Sequence, residues 1–214
     1  MLKNKNNDIL NDLKKNNNFY IDDDEESDIF TIYNGSKLIF NKKSKYQDIK
    51  VYNDKFFGNI LVIDDDLQLT EHDESNYHEM IVHVPLNYIE NAKKVLIIGG
   101  GDGGTLREVC KHKNIEEIIM IEIDIDVINI SKKYFKKISS SFKDKRLKLI
   151  IKDGSIWVKE EKKNYKNYFD LIIIDSTDYN SGENLFSDKF YKNTKKLLKK
   201  KKRIKKFNYM SISW

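Results

Sequence analysis

Residues 95–104 read Val95-Leu96-Ile97-Ile98-Gly99-Gly100-Gly101-Asp102-Gly103-Gly104. An apolar run breaks into glycines, and a helical pattern over Gly103–Lys113 follows. Continuous aliphatic residues are what a strand covered on both faces requires. Gly99, Gly101 and Gly104 form G-x-G-x-x-G between a strand and a helix, the context that gives this spacing its meaning. Glycines there let a ligand approach the backbone and let the helix pack close to the strand. An acid is expected about 20 residues further on, at the end of the next strand, to hold ribose hydroxyls. Glu122 stands there, followed by Asp124.

The same alternation continues outward. Ile118–Ile123 reads as a second strand, Asp126–Lys137 as a helix, Leu147–Ile151 as a third strand and Leu171–Ile174 as a fourth. A further helix is expected from near Ser187 to about Leu198. Strands alternating with helices of about ten residues predict an α/β fold with a parallel sheet. Upstream the pattern differs. Lys37–Phe40, Lys45–Tyr52 and Asn59–Ile63 read as short strands, with turns at Asn34-Gly35, Asn53-Asp54 and Asp64–Asp66, which predicts a small antiparallel β unit. The acidic run Asp22–Glu26 reads as a loop. Asp73 reads as the N-cap of a helix whose apolar face is Tyr77, Met80, Ile81 and Val84, ended by Pro85 and Asn87. The expected organisation is a poorly ordered start over 1–28, a β domain with a linking helix over 29–86, and a parallel α/β domain over 87–214.

Composition narrows the class. The chain has 214 residues, of which 39% are hydrophobic, 12% aromatic and 34% charged. That content supports a packed core rather than a disordered chain. No apolar run approaches the ~18 residues of a membrane-spanning helix. The single cysteine, Cys110, excludes an internal disulfide and a cysteine-rich metal site. With no apolar leader near Met1, a reducing, cytoplasmic setting is expected. Ten Lys or Arg and no acid lie between Lys192 and Lys206; without them the net charge of +5 becomes −5 for residues 1–191. An acidic body with a basic tail permits nucleic-acid binding. Lys and Asn are abundant throughout, however, so the tail alone carries little functional weight.

Acids recur at the strand ends. Asp153-Gly154 follows the third strand, and Asp175-Ser176-Thr177-Asp178 the fourth. Ligands of open α/β sheets bind beyond these ends. Asp102, Glu122, Asp153, Asp175 and Asp178 are therefore expected to converge, although each alone could be a helix cap. Carboxylates so placed repel one another unless a cation is bound. A phosphate-bearing dinucleotide is a poor guest for such a crevice. A nucleoside with a cationic side chain, together with an amine, is a good one.

Several ordered motifs carry a resemblance. Tyr46-Gln47, Phe57-Gly58, Gln68-Leu69-Thr70-Glu71-His72-Asp73-Glu74, Tyr77-His78-Glu79-Met80, His83-Val84-Pro85-Leu86, the glycine loop with Arg107-Glu108-Val109, Glu122-Ile123-Asp124 and Asp175-Ser176-Thr177-Asp178 resemble the spermidine synthase family of polyamine aminopropyltransferases. The resemblance runs from about Lys45 to Tyr191. It implies a Rossmann-like, methyltransferase-type sheet preceded by a small antiparallel β domain. It also implies decarboxylated S-adenosylmethionine as co-substrate, no prosthetic group, no metal and a homodimer. On matching residues, the nucleoside would lie over Gly99, Gly101 and Gly104. Glu122 and Gln47 would bind the ribose, and Asp153 and Gly154 the adenine. Asp102 and Asp175 would hold the aminopropyl ammonium. Tyr77, His78, Ser176 and Asp178 would bind a diamine, putrescine in most relatives, and Asp175 would be the base.

The chemistry is consistent with that assignment. A sulfonium is an activated leaving group that needs no metal, and an amine of pKa about 10 must lose a proton before attack. Other readings stay open at this stage: an S-adenosylmethionine-dependent methyltransferase, disfavoured by Asp102; a nucleoside-binding pseudoenzyme or fragment; and a nucleic-acid binder using the basic tail. Tyr77 and His78 also read as an ordinary packed helix face. Three departures from the family pattern stand out, the first being that Phe19–Ser27 resembles the family's Trp- and Glu-containing N-terminal hairpin poorly. Tyr179-Asn180-Ser181-Gly182 replaces Pro-x-Gly-Pro, so a more mobile lid is expected. The resemblance fades after Phe190-Tyr191, and residues from about Lys199 are expected to be a frame-shifted or prematurely ended version of a longer product.

Overall fold

The computed structural model describes residues 19–24, 29–176, 183–200 and 210–212. The chain forms two compact units, which divide at Glu74/Ser75. In the first unit β1 (Phe19–Asp24) pairs antiparallel with β2 (Ile29–Asn34). Strands β3 (Lys37–Lys43), β4 (Asp48–Asp54), β5 (Gly58–Ile63) and β6 (Asp66–Thr70) form an antiparallel sheet in sequence order. The stretch 19–24, read above as a poorly ordered start running into an acidic loop, is thus a strand. Its hold is apolar: Tyr20 is buried with Ile60 and Val62, against Tyr33, Tyr52, Phe57 and Leu67. The Tyr20 hydroxyl donates to the carbonyl of Asp65 at 2.9 Å and to Asp22 at 3.1 Å.

The second unit is built on a five-stranded sheet of order β11-β10-β7-β8-β9. Its strands are β7 (Lys94–Gly99), β8 (Glu117–Glu122), β9 (Leu147–Ile151), β10 (Leu171–Asp175) and β11 (Met210–Ile212), all parallel to their neighbours. The expected α/β class is therefore present, with its small antiparallel sheets ahead of it. Helices cover both faces: α1 (Glu74–Tyr88), α2 (Gly104–Lys111), α3 (Ile125–Tyr134), α4 (Gly154–Glu161) and α5 (Asp188–Thr194). Successive β7 residues point to opposite faces. Val95 and Ile97 pack with Ile81, Val82, Leu86, Leu106 and Val109. Leu96 and Ile98 pack with Trp157, Val158, Phe169 and Phe190.

Three local expectations are corrected. The buried face of α1 is His78, Ile81, Val82, Pro85 and Leu86; Tyr77, Met80 and Val84 are exposed. Pro85 does not end the helix, which continues to Tyr88. Its ring costs one backbone bond, and the Pro85 carbonyl still accepts from the Ile89 amide at 3.0 Å. Residues 154–161, given no element above, are helix α4, started by Asp153 as N-cap. The fifth strand, β11, pairs Met210 to Ile212 with Ile172 to Ile174.

Candidate functional site

The chain leaves β7, builds β8 and β9 on one side, then crosses back to place β10 and β11 on the other. The C-terminal ends of β7 and β10 therefore flank the point where strand order reverses, where open α/β sheets bind ligands. Gly99 and Asp175 are register partners there.

The glycine loop is shaped by its own surroundings. Gly99 has φ +87°, and a Cβ on it would lie 1.8 Å from the carbonyl oxygen of Asp175. The Gly100 amide donates to that same oxygen at 2.6 Å. A Cβ on Gly101 would meet Oε2 of Glu122 at 2.9 Å. One on Gly104 would lie 2.3 Å from the imidazole of His78. These glycines bring the loop against the acids and against α1.

Four side chains from three elements gather around Asp175. Tyr77 of α1 donates its hydroxyl to Oδ1 at 2.8 Å, and Thr105 of α2 donates to Oδ2 at 2.6 Å. His78 of α1 sets Nε2 3.1 Å from Oδ1 of Asp102, which also accepts from the Gly104 amide at 2.7 Å. His78, Asp102 and Asp175 offer a ring nitrogen and two carboxylate oxygens within 4.8 Å of one another, a grouping that could also hold a metal ion. Burial pushes the Asp175 carboxyl above its ordinary range, and the charge of Asp102 adds to that. Burial acts the same way on Asp102, but the His78 charge and hydrogen bond and the Gly104 amide outweigh it, so Asp102 is held low.

Glu122 is 6% exposed and accepts from the Asp124 amide at 2.9 Å. Burial lifts its carboxyl to about 7, with Asp124 and Asp102 adding to the rise and the Asp124 and Ile123 amides opposing it. Asp124 is the N-cap of α3. Asp153 also caps a helix: its Oδ1 accepts from the Ser155 amide and hydroxyl, each at 2.7 Å, and from the Ile156 amide at 3.0 Å. A Cβ on Gly154 would lie 2.5 Å from Ile98, so this glycine seats α4 on the sheet.

The structure thus brings together Tyr77, His78, Asp102 and Asp175, with Glu122 against Gly101. Ser176 follows Asp175 and is partly buried. Gln47 lies in the first unit, its backbone bonded to Ser44, and is described only there. Asp178 and the variant loop Tyr179–Gly182 lie outside the described residues, as do 1–18 and 201–209. Sequence reasoning missed Thr105. Its position, one residue into a helix that opens at the site, was the available signal.

Residues 74–204 match the spermine/spermidine synthase domain, and residues 25–71 the spermidine synthase tetramerisation domain. A polyamine aminopropyltransferase of Buchnera aphidicola subsp. Acyrthosiphon pisum is 49% identical over 161 residues, which is 74% of this chain and 55% of that protein. One from Caldicellulosiruptor saccharolyticus is 47% identical over 77% of this chain and 58% of its own length. The chain spans about half the length of the curated relatives it matches. Two crystal structures share the fold at 39% identity, each over 85% of this chain. They are a spermidine synthase in complex with the transition-state analogue AdoDATO (TM-score 0.79, 61% of that chain covered) and the spermidine synthase of Thermotoga maritima (TM-score 0.77, 60% covered). A domain match across the parallel sheet, a second across the β unit ahead of it, and identities near one half together establish that the chain belongs to the spermine/spermidine synthase family.

Proposed function

We propose that this site transfers an aminopropyl group from decarboxylated S-adenosylmethionine to a diamine, putrescine, giving spermidine and methylthioadenosine. The observation that carries the reading is Asp175: a buried carboxylate of raised proton affinity, fixed by Tyr77 and Thr105, with Asp102 beside it. An unprotonated amine attacks the aminopropyl carbon bound to sulfur. The C–S bond breaks, its electron pair returns to sulfur, and the proton released by the amine goes to Asp175. A positioned general base contributes typically 10²–10⁴-fold, and holding both substrates in line supplies much of the rest. The sulfonium carries its own leaving-group activation.

The remaining roles follow from charge. Asp102 is held ionised by His78, which suits it to an ammonium and opposes the carboxylate of S-adenosylmethionine itself. Two like charges about 4 Å apart at an effective dielectric near 20 repel by roughly 4 kcal/mol. Glu122 is assigned to the ribose hydroxyls, the glycine loop to the nucleoside, and Asp153 with Gly154 to the adenine. Tyr77, His78, Ser176 and Asp178 are assigned to the diamine. The match of residues 25–71 to a tetramerisation domain supports self-association, and a homodimer is the assembly proposed. A cytoplasmic setting is proposed with it; no helix among the described residues is long and apolar enough to cross a membrane.

The test is direct. The purified chain is mixed with putrescine and either decarboxylated or ordinary S-adenosylmethionine, and products are followed by mass spectrometry. Spermidine and methylthioadenosine from the decarboxylated donor alone are expected. A methylated product from ordinary S-adenosylmethionine, or no turnover with either donor, would overturn the reading.

A further inference from the structure

A second cluster of titratable groups joins α1 to α2 away from Asp175. His83 sets Nε2 2.9 Å from Oε2 of Glu108 and Nδ1 2.8 Å from Nε2 of His112. Glu108 is fully buried, yet Lys111 and Arg107 hold its carboxyl below the usual range against the effect of burial. Arg107 donates to Oε1 at 2.6 Å, and Lys111 contacts Oε2 and lies 3.9 Å from Glu79. His112 caps the C-terminus of α2, and its carbonyl accepts from Arg146, itself fixed by Asp144. Glu108 is thus the charged side chain bonded to His83; Arg107 and Lys111 reach the same carboxylate, Glu79 lies by Lys111, and Arg146 holds the His112 carbonyl.

These are the helices that carry the candidate site. The His78 ring lies on Gly104 near the start of both, and the His83–Glu108 contact comes five and four residues later. At 1.5 Å per residue that is about 6–8 Å along each helix. Ile81, Val82 and Leu86 of α1 already share an apolar cluster with Leu106 and Val109 of α2; the two polar contacts add directional constraints on spacing and angle that apolar packing lacks. We propose that His83, Glu108 and His112 form a positioning clamp, which sets the register of α1 on α2 and so holds Tyr77 and His78 at working distance from Asp175 and Asp102. The inference rests on the function proposed above.

The proton arrangement supports a constant geometry. An ionised Glu108 only accepts, so Nε2 of His83 carries a proton. One proton then suffices between Nδ1 of His83 and Nε2 of His112. In the neutral pair Nε2 of His112 donates to Nδ1 of His83. Burial, and then the His83 charge, hold the His112 imidazole below its ordinary value, which favours that neutral donor.

The test uses the full chain with His83→Phe, which keeps the ring and removes both nitrogens. Glu108→Gln, which keeps the shape, gives the same readouts should His83→Phe fail to fold. The chain has four histidines, so the His78 ring can be followed by histidine-labelled NMR. With the clamp removed, His78 signals are expected to shift. The kcat should fall about tenfold or more, as misplacement by about 1 Å can do, with methylthioadenosine affinity within threefold of wild type. His112→Gln, which keeps a polar end facing His83, should lose less than His83→Phe. Unmoved His78 signals and unchanged kcat, with only a lower Tm, would overturn the clamp. If the wild-type chain turns over neither donor, the function proposed above fails, while the His78 signals still decide whether the clamp exists.

Discussion

The imidazole of His78 occupies the space that a β-carbon on Gly104 would need: three of its ring atoms would lie 2.3–2.4 Å from that carbon. Gly104→Ala should therefore force the ring off the helix start, although alanine is the better helix former by up to about 1 kcal/mol. Overpacking of this kind typically costs 1–3 kcal/mol. We expect a lower Tm and loss of the His78–Asp102 pair, read by calorimetry and by histidine NMR. A stabilised protein with unmoved His78 signals would contradict this.

Asp175→Asn removes the proton-accepting charge at nearly constant shape. Turnover should fall by about 10²–10⁴-fold, the usual worth of a general base, while methylthioadenosine still binds. Steady-state kinetics and titration calorimetry separate the two effects. Wild-type turnover in this variant would remove Asp175 from the role of base.

Thr105→Val deletes the hydroxyl that donates to Asp175 and leaves the volume almost unchanged. That hydrogen bond pulls the Asp175 carboxyl down against burial and Asp102. Without it the carboxyl should rise further, so the acidic limb of the pH–rate profile should move to higher pH. An unmoved limb would show that the Thr105 hydroxyl does not act on the base.

For Glu122 the direction follows from its folded value of about 7 against 4.5. The folded state holds this proton more tightly than the unfolded chain does. Its contribution to stability is complete below about pH 4.5 and is lost as pH rises through about 7. At 1.36 kcal/mol per unit the difference is on the order of 3 kcal/mol. Glu122→Gln should be more stable than wild type at pH 8 and about equal to it at pH 4, by scanning calorimetry. Ribose hydroxyls need the ionised acceptor, so wild-type nucleoside affinity should rise through pH 7 and the variant's should stay low and flat.

Much of this arrangement was legible in the sequence because its signals are local. Val95–Gly104 announces strand, loop and helix together, and the acids after β8, β9 and β10 stand where a parallel sheet places its ligands. The face of α1 was not legible. Tyr77, Met80 and Val84 are apolar at helical spacing, yet the sheet packs against His78, Ile81, Val82, Pro85 and Leu86, and nothing local distinguishes the two stripes. Pro85 misled for a related reason: one lost backbone bond is outweighed by burial of its ring. Helix α4 escaped because its Lys- and Glu-rich sequence shows only Ile156, Trp157 and Val158 as apolar anchors. Asp153 shows the limit for site residues, since an acid at a strand end fits both a ligand contact and a helix cap. Thr105 could be placed beside Asp175 only once β7 and β10 were known to be neighbours.

The bond from the Gly100 amide to the Asp175 carbonyl, 2.6 Å long, gives the molecule a built-in reporter. That amide proton can exchange with solvent only when the loop and the end of β10 part. Its exchange rate therefore measures one opening event shared by the loop and the carboxylate strand, two segments about 75 residues apart in the chain. A guest that binds both should slow this proton in proportion to its occupancy. A guest that binds the loop alone should slow it less. Deuterium uptake at a single backbone position would then distinguish a fully engaged complex from a half-engaged one.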